Sequence, residues 1–352
     1  MFRDVCRSAG RDENPVAEMT WLLRTTFPVL LLAIAAVLCA PPARAGNPVL
    51  PPEARQGLEK LNSGDPDAAI VLFRALQASA PDQPLGYLLE GGARWSKTYC
   101  DTLEVKWGMV VTGKREKQPG DEEYLALAEK TIRLASAQAS IKDSAEMHLY
   151  IGLALALEAR LYGMRSENRA TAHAGVRARA EFLRAKQLDP EMTDADVGLG
   201  LYNYYVDTLS GIVKVLRFFM GIPGGNKQEG IRELESAMNG GGMTAVEARF
   251  YLAKNLRTYD HEYERAASLV EPLARRYPRN AIFNLFLGNF DLELNRKEKA
   301  VAELRAAAAE SCCEISCASH VRAVAGSLLA SVGVGATSIL IDENTSNARI
   351  EP

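Results

Sequence analysis

A recurring spacing of apolar residues constrains the fold of this chain more than any other feature. An alanine is followed four positions later by a large apolar residue, and three positions after that by another apolar residue. Positions i, i+4 and i+7 lie on one face of an α-helix, so each copy predicts a helix with one buried face. The copies are Ala69-Phe73-Leu76, Ala178-Phe182-Ala185, Ala266-Val270-Leu273 and Ala300-Leu304-Ala307.

Other residues in the pattern indicate where one helix ends and where its neighbours approach. A proline follows each of the first three copies, at Pro81, Pro190 and Pro278. Proline stops a helix because it lacks an amide hydrogen. A second helix is predicted upstream, with a glycine where two helices cross closely, and these glycines are Gly91, Gly152, Gly200 and Gly288. The chain is therefore predicted to consist of successive helix pairs.

This arrangement resembles the tetratricopeptide-repeat family, whose unit is a helix-turn-helix of about 34 residues. Gly57 and Gly91 are 34 residues apart, as are Ala266 and Ala300, and the resemblance covers most of residues 50–313. The resemblance implies an all-α fold, a right-handed superhelix of about six stacked antiparallel helix pairs. It also implies a non-catalytic scaffold that binds a protein or peptide partner on its concave face.

The central repeats depart from the regular spacing. Gly152 and Ala178 are 26 residues apart, whereas Gly288 and Ala300 are 12 apart. The central repeats are therefore expected to be expanded. Residues 101–120 are polar and rich in turn residues, and they predict a loop. Residues 332–352 show no helical period and predict a loose tail.

The N-terminus is typical of a secretory signal. Arg24 precedes a twelve-residue apolar run, Val29–Ala40, and the small-residue pattern that follows predicts cleavage after Ala45. Residues 1–18 are interpreted as an upstream extension. The alternative is an uncleaved inner-membrane anchor, although a membrane-spanning helix needs about 20 residues. The resemblance and the signal together indicate an exported, periplasmic or secreted, bacterial type of repeat protein, with the solenoid over residues 46–331.

The segment "YYVDTLSGIVKVLRFFMGIPGGNKQEG", residues 204–230, invites three interpretations. A phosphate-binding loop is disfavoured, because Asn226 and Gln228 occupy the positions that require glycine and a hydroxyl. Residues 209–220 predict an amphipathic helix, which either packs in the core or docks on a membrane surface. The wider segment is similar to a divergent tetratricopeptide family that includes eukaryotic outer-membrane and inclusion-clearance proteins.

Four residues of the central segment are candidates for contact with a partner. The repeat pattern places Tyr202 and Tyr205 where the concave groove is expected. Val215 and Phe218 lie within the predicted amphipathic helix, on the flanks of its apolar face. Nucleic acid is not an expected partner, because the formal net charge is -3 and the composition shows no basic surplus. No motif for a nucleophile, a paired acid and base or a cofactor is evident.

The cysteines leave two questions open. Cys313, Cys317 and His320 fall at i, i+4 and i+7, which would place two thiols and an imidazole on one helical face. Such a set could ligate zinc with a fourth ligand, but packing or a disulfide is the simpler interpretation. Export would permit a disulfide among Cys100, Cys312, Cys313 and Cys317, and the spacing does not select a pairing.

Overall fold

The chain folds into α-helices that follow one another in space as they do in sequence. The computed structural model describes residues 46–209, 222–309 and 318–334. In these residues each α-helix packs against the next one. The helices are α1 Pro52–Asn62, α2 Pro66–Ser79, α3 Leu85–Asp101, α4 Gly120–Ile141, α5 Ala145–Met164, α6 Asn168–Leu188, α7 Asp196–Thr208, α8 Lys227–Gly240, α9 Ala245–Asn255, α10 Tyr263–Arg276, α11 Ala281–Glu293, α12 Lys297–Ala309 and α13 Ala318–Ser331.

The predicted all-α fold of consecutive helix pairs is confirmed. Six pairs can be recognised in the described residues: α1–α2, α3–α4, α5–α6, α7–α8, α9–α10 and α11–α12. Helix α13 follows the last pair and packs against α11 and α12. The recurring apolar residues lie in the second helix of their pairs, and nearly all of them are buried, as the pattern predicts.

The glycines allow the first helix of a pair to lie directly on the second. A Cβ atom at Gly152 would lie 2.7 Å from the ring of Phe182, and one at Gly288 would lie 2.8 Å from Cγ of Leu304. These distances are shorter than side chains tolerate in a close-packed interior. Gly91 has a different neighbour, since a Cβ there would lie 2.9 Å from Leu157 of the following pair.

The expanded third pair is explained by longer helices. Helices α5 and α6 contain 20 and 21 residues, whereas α11 and α12 contain 13 each. The spacing from glycine to alanine grows from 12 to 26 residues, and the 14 additional residues divide into seven for each helix. Seven residues are about two helical turns, so the small residues stay on the facing sides. The predicted expansion is confirmed for this pair.

The predicted loop over residues 101–120 is partly wrong, because a β-hairpin lies within it. Strand β1, Leu103–Lys106, pairs antiparallel with strand β2, Met109–Thr112. Trp107 and Gly108 form the two-residue turn with φ angles of 51° and 79°. Turns of this kind need positive φ at both positions and usually carry Asn-Gly, so Trp-Gly is a weak sequence signal.

The start of α8 shows why the phosphate-loop interpretation fails. Asn226 is the N-cap of α8, and its side-chain oxygen accepts a hydrogen bond of 3.0 Å from the amide of Glu229. Asparagine is a preferred N-cap because it satisfies an amide that the helix itself leaves unpaired. Asn226 thus has a structural role at this helix start.

The two ends of the array meet, because the turn after α1 contacts the turn between α10 and α11. The side chain of Asn280, between α10 and α11, donates a hydrogen bond of 2.9 Å to the carbonyl of Asn62 at the end of α1. The hydroxyl of Tyr277 is 3.3 Å from Oε2 of Glu59. The first helix pair therefore meets the last two pairs at these turns.

Several predictions fall outside the described residues. These are the signal over residues 1–45, the amphipathic helix beyond Leu209, and the tail beyond Val334. Among the described helices, none is both long enough and apolar enough to cross a membrane.

Candidate functional site: the inner face

A cavity of about 180 Å³ lies at the centre of the array. Its walls come from α1, α3, α5, α9 and the start of α11, each the first helix of its pair. The second helices form the outer layer and contribute no wall residues. We call this surface the inner face. It corresponds to the concave surface of a helical-repeat array, on which ligands of such proteins are bound.

Aromatic side chains form a continuous lining on the inner face. Trp95 of α3 has a ring-centroid distance of 6.2 Å to Tyr99, which also lines the cavity, and one of 6.4 Å to Tyr124 of α4, which does not line it. Its indole nitrogen donates a hydrogen bond of 3.1 Å to the hydroxyl of Tyr251 on α9. This bond joins residues 156 positions apart, so it links the first half of the array to the second. Tilted aromatic contacts of this kind are favourable beyond their buried area.

A second aromatic group lies where α7 meets the turn after α9. Tyr204 and Tyr205 both contact Tyr259, with centroid distances of 6.0 Å and 6.2 Å. The hydroxyl of Tyr205 donates a hydrogen bond of 3.0 Å to Oδ1 of Asn255. Tyr259 lies in a π-helical turn, Leu256–Asp260, and 47% of it is exposed. We call Tyr204, Tyr205 and Tyr259 the rim.

Charged groups lie beside the aromatic lining. The guanidinium of Arg160 on α5 pairs with Glu247 on α9 and is 5.2 Å from the centroid of the Tyr251 ring. The ammonium of Lys254 is 5.0 Å from the same ring and 5.7 Å from the ring of Tyr99. Cations attract the faces of aromatic rings, so both side chains are held against the inner face.

Burial controls the protonation of these groups. Burial, with the nearby positive charges of Arg160 and Arg257, lowers the pKa of Lys254 to about 8. Burial also raises the pKa values of Tyr99, Tyr205 and Tyr251 above the ordinary value, so these hydroxyls stay protonated at neutral pH. A lysine that titrates near neutral pH is common at functional sites.

A β-hairpin anchored by buried polar groups supports one side of the inner face. Arg257 is fully buried and donates a hydrogen bond of 2.9 Å to the carbonyl of Val110. Asn289 accepts from the amide of Val110 at 3.0 Å and donates to the carbonyl of Gly108 at 2.7 Å. Asn289 also accepts from Arg257. Strand β2 is thereby fixed to α11 and to the π-helical turn.

The four predicted partner-contact residues are only partly brought together. Tyr205 belongs to the rim. Tyr202 lies on a different side of α7, where its hydroxyl donates a hydrogen bond of 2.9 Å to the carbonyl of Pro223 and Arg179 of α6 lies over its ring. Val215 and Phe218 are outside the described residues. The role of all four in binding remains a prediction.

The predicted metal candidates are also divided. A ring nitrogen of His320 donates a hydrogen bond to the carbonyl of Leu103, whereas Cys313 and Cys317 are outside the described residues. Cys100 is buried and disulfide-bonded, and its partner cysteine also lies outside them. Within residues 46–209, 222–309 and 318–334, no three histidine, cysteine or acidic side chains cluster as a metal site would require.

Sequence reasoning missed the charged part of the inner face. Glu247, Tyr251 and Lys254 follow one another at i, i+4 and i+7 on α9, a helix whose other positions include Phe250 and Leu252. A polar line on an otherwise apolar first helix is the signal that could have identified them. Arg160 gives no such signal, because only the fold brings α5 beside α9.

Comparison with known proteins adds little to this geometry. No family model matches the chain, and no curated protein matches it. Among solved structures, the chain is similar to yeast Tom70, with a TM-score of 0.25 and 12% sequence identity over 86% of this chain and 69% of that chain. A likeness at this level carries no argument about function.

Proposed function

We propose that this protein is a non-catalytic helical-repeat scaffold that binds an apolar segment of a partner protein. The observation that supports this function most directly is the rim, where Tyr259 is half-exposed and rests on two other tyrosines. Tyrosine is enriched at protein interfaces because it offers a large rigid surface with a polar end. The rim also contains Tyr205, one of the residues that the sequence pattern singles out for contact with a partner.

Site-specific crosslinking tests this function. A photoreactive phenylalanine analogue at Tyr259 is expected to capture one recurrent protein from the cell fraction that holds the chain. The matched control is the same analogue at Ile141, an exposed apolar position at the end of α4 that is 89% exposed. Equal capture at both positions, or capture at neither, would contradict a binding surface at the rim.

Substitution of the rim gives a second readout for the same surface. Tyr259→Ala is expected to weaken retention of the captured protein by about tenfold, as is typical for an aromatic residue central to an interface. The exposed position of Tyr259 means that the change should leave the helix pairs intact, which thermal unfolding would verify. Undiminished retention by this variant would exclude the rim as the main contact.

We further propose that the scaffold is exported and that its signal is cleaved after Ala45. The disulfide at Cys100 supports export, since disulfides persist in oxidising compartments. N-terminal sequencing of the protein from the periplasmic or secreted fraction is expected to begin at Gly46. A cytosolic protein with reduced Cys100, or a membrane-bound chain that retains residues 29–40, would contradict this proposal.

A further inference from the structure

Helix α3 carries a glycine that helix packing does not explain. Gly92 lies in the middle of α3, and a Cβ atom there would meet no atom within 4 Å. Its neighbour Gly91 differs, because a Cβ atom there would lie 2.9 Å from the side chain of Leu157. Glycine inside a helix is destabilising relative to alanine, so a glycine without a close neighbour needs another reason. Gly92 lines the central cavity, where a missing side chain leaves room for something else.

A second small residue continues this surface. Ser96 follows Gly92 by four positions, so both residues lie on one face of α3, and both line the cavity. Close-packed helices leave few voids larger than a water molecule. The space of about 180 Å³ in front of these two residues is therefore a feature of the residue choice on α3.

Most of the remaining wall is apolar. It is formed by side chains from α1, α3, α5, α9 and α11, among them Leu58, Leu88, Leu153, Leu157, Phe250 and Phe283. Water in contact with such side chains finds no hydrogen-bond partner on them. An apolar molecule that displaces this water is therefore bound favourably.

The main polar groups of the wall are already paired with one another. Among the described residues that line the cavity, the charged ones are Arg160 and Glu247, and they form an ion pair. The indole nitrogen of Trp95 donates its hydrogen bond to the hydroxyl of Tyr251. The hydroxyl of Tyr99 has almost no accessible surface, so it does not meet the cavity. A charged ligand would lose its hydration here and find no opposite charge that is free.

The volume of the cavity sets the size of the ligand. A cavity of about 150 Å³ with apolar walls holds benzene, and the present cavity is about 180 Å³. It therefore fits one aromatic ring with a small apolar substituent, and it is too small for a folded segment of a partner. The rings of Trp95 and Phe250 on the wall also favour an aromatic ligand, because aromatic rings attract one another beyond the area that they bury.

We propose that the central cavity binds a small, neutral, apolar molecule with one aromatic ring, which lies against Gly92 and Ser96. The ligand fills the space that these two residues leave and shields the leucine side chains from water. This inference goes beyond the scaffold function, because it concerns a small molecule between the first helices of the pairs. The rim and the cavity wall have no residue in common.

Calorimetric titration of the full chain with three compounds of similar shape tests the proposal. Toluene, benzoate and benzylammonium each carry one ring and one further carbon atom, and they differ in charge. Toluene is expected to bind at one site per chain, and the two ions are expected to bind at least about tenfold more weakly. Failure of toluene to show saturable binding would overturn the proposal. Benzoate or benzylammonium that binds as tightly as toluene would also overturn it.

A filled cavity locates the site. Gly92→Leu places a side chain in the open space and is expected to weaken toluene binding at least about tenfold. The matched control is Gly175→Leu on α6, because a Cβ atom at Gly175 also meets no atom within 4 Å but the residue does not line the cavity. The control is expected to bind toluene as wild type does. Toluene binding of wild-type strength in Gly92→Leu would overturn the assignment.

A second variant covers the case in which Gly92→Leu alters the fold. Ser96→Leu fills the same cavity from the next turn of α3 and is expected to weaken toluene binding to a similar extent while thermal unfolding stays cooperative. A folded Ser96→Leu variant with wild-type affinity for toluene would contradict the proposed position of the ligand. The crosslinking result at Tyr259 is independent of these titrations, so failure of one proposal is distinguishable from failure of the other.

Discussion

At the scale of single residues, the inner face combines good packing with unfavourable electrostatics. Tyr251 is nearly buried, contacts two cations and accepts a hydrogen bond from Trp95. Lys254, one turn further along α9, has no opposite charge in the described residues. A charge that is buried without a partner reduces stability, because the loss of its hydration is not compensated.

The lysine therefore gives a prediction about how the stability of the protein depends on pH. The pKa of Lys254 is lowered from 10.5 to about 8 by burial, so between these values the unfolded chain binds more protons than the folded chain. Stability is expected to rise with pH across that window. Lys254→Met should be more stable than wild type by about 1–2 kcal/mol at pH 7, with the advantage lost above pH 10.5.

Urea unfolding of both proteins from pH 7 to pH 11 checks this prediction. The control is Lys130→Met, because Lys130 of α4 also lies over a tyrosine ring, at 5.5 Å from the centroid of Tyr87. Its stability relative to wild type should not change across the window. A Lys254→Met variant that is less stable than wild type at pH 7 would mean that the ammonium is favourably solvated in the folded protein.

A carboxyl group outside the cavity gives a pH dependence of opposite sign. Burial raises the pKa of Glu233 on α8 from 4.5 to about 7, although its carboxylate accepts a hydrogen bond of 2.7 Å from Asn203. The folded chain then binds more protons than the unfolded chain between these values, so stability falls as pH rises through 7. Glu233→Gln should gain about 1 kcal/mol above pH 7, after allowance for solvent screening, and nothing below pH 4.5.

Thermal unfolding of Glu233→Gln at pH 4 and pH 8 is the corresponding measurement. The comparison variant is Glu235→Gln, which changes a neighbouring, exposed glutamate that pairs with Arg265. The same shift in Tm at both pH values would argue against burial as the cause of the effect.

At the scale of elements, sequence reasoning succeeded for the helices and failed for the hairpin. The spacing of Ala178, Phe182 and Ala185 predicted α6, because residues on one face of a helix recur every three or four positions in the sequence. The hairpin depends on Asn289 and Arg257, which lie more than 140 residues away from it. No local pattern contains that information, so the segment was interpreted as a loop.

The anchoring of the hairpin predicts a large effect of a single side chain. Asn289→Ala would leave the amide of Val110 and the carbonyl of Gly108 without their buried partner. The expected loss of stability is about 2–4 kcal/mol, because each unsatisfied buried group costs about 1–3 kcal/mol. Guanidinium unfolding measures this loss. Asn168→Ala, at an exposed position at the start of α6, should change stability by less than about 0.5 kcal/mol.

The turn of the same hairpin predicts a gain. Trp107 adopts a φ of 51°, which is unfavourable for a bulky residue, and its side chain is 91% exposed. Trp107→Asn places the preferred residue before Gly108 and should raise stability by about 0.5–1 kcal/mol. Guanidinium unfolding measures this gain. A loss of stability would show that the indole contributes more stabilising energy than the strained backbone at Trp107 costs.

At the scale of the whole molecule, the array forms a cavity because its two ends meet. The family resemblance predicted a concave groove, and the helix order, the pairs and the expanded third pair followed from spacings in the sequence. The meeting of the two ends could not be predicted from the sequence. Asn62 and Asn280 form the contact, and asparagine is common in turns of every kind. The inner face, with Arg160 beside Lys254, is a consequence of that closure.

The inner face exists only if the two ends of the array meet, and the distance between the two turns measures this directly. Spin labels introduced through unnatural amino acids at Ser63 and Arg279 leave the native cysteines unchanged. Pulsed electron resonance is expected to give a single short and narrow distance, because the adjoining residues Asn62 and Asn280 are hydrogen-bonded. A long or broad distribution would mean an open superhelix, and it would contradict the cavity between the first helices of the pairs.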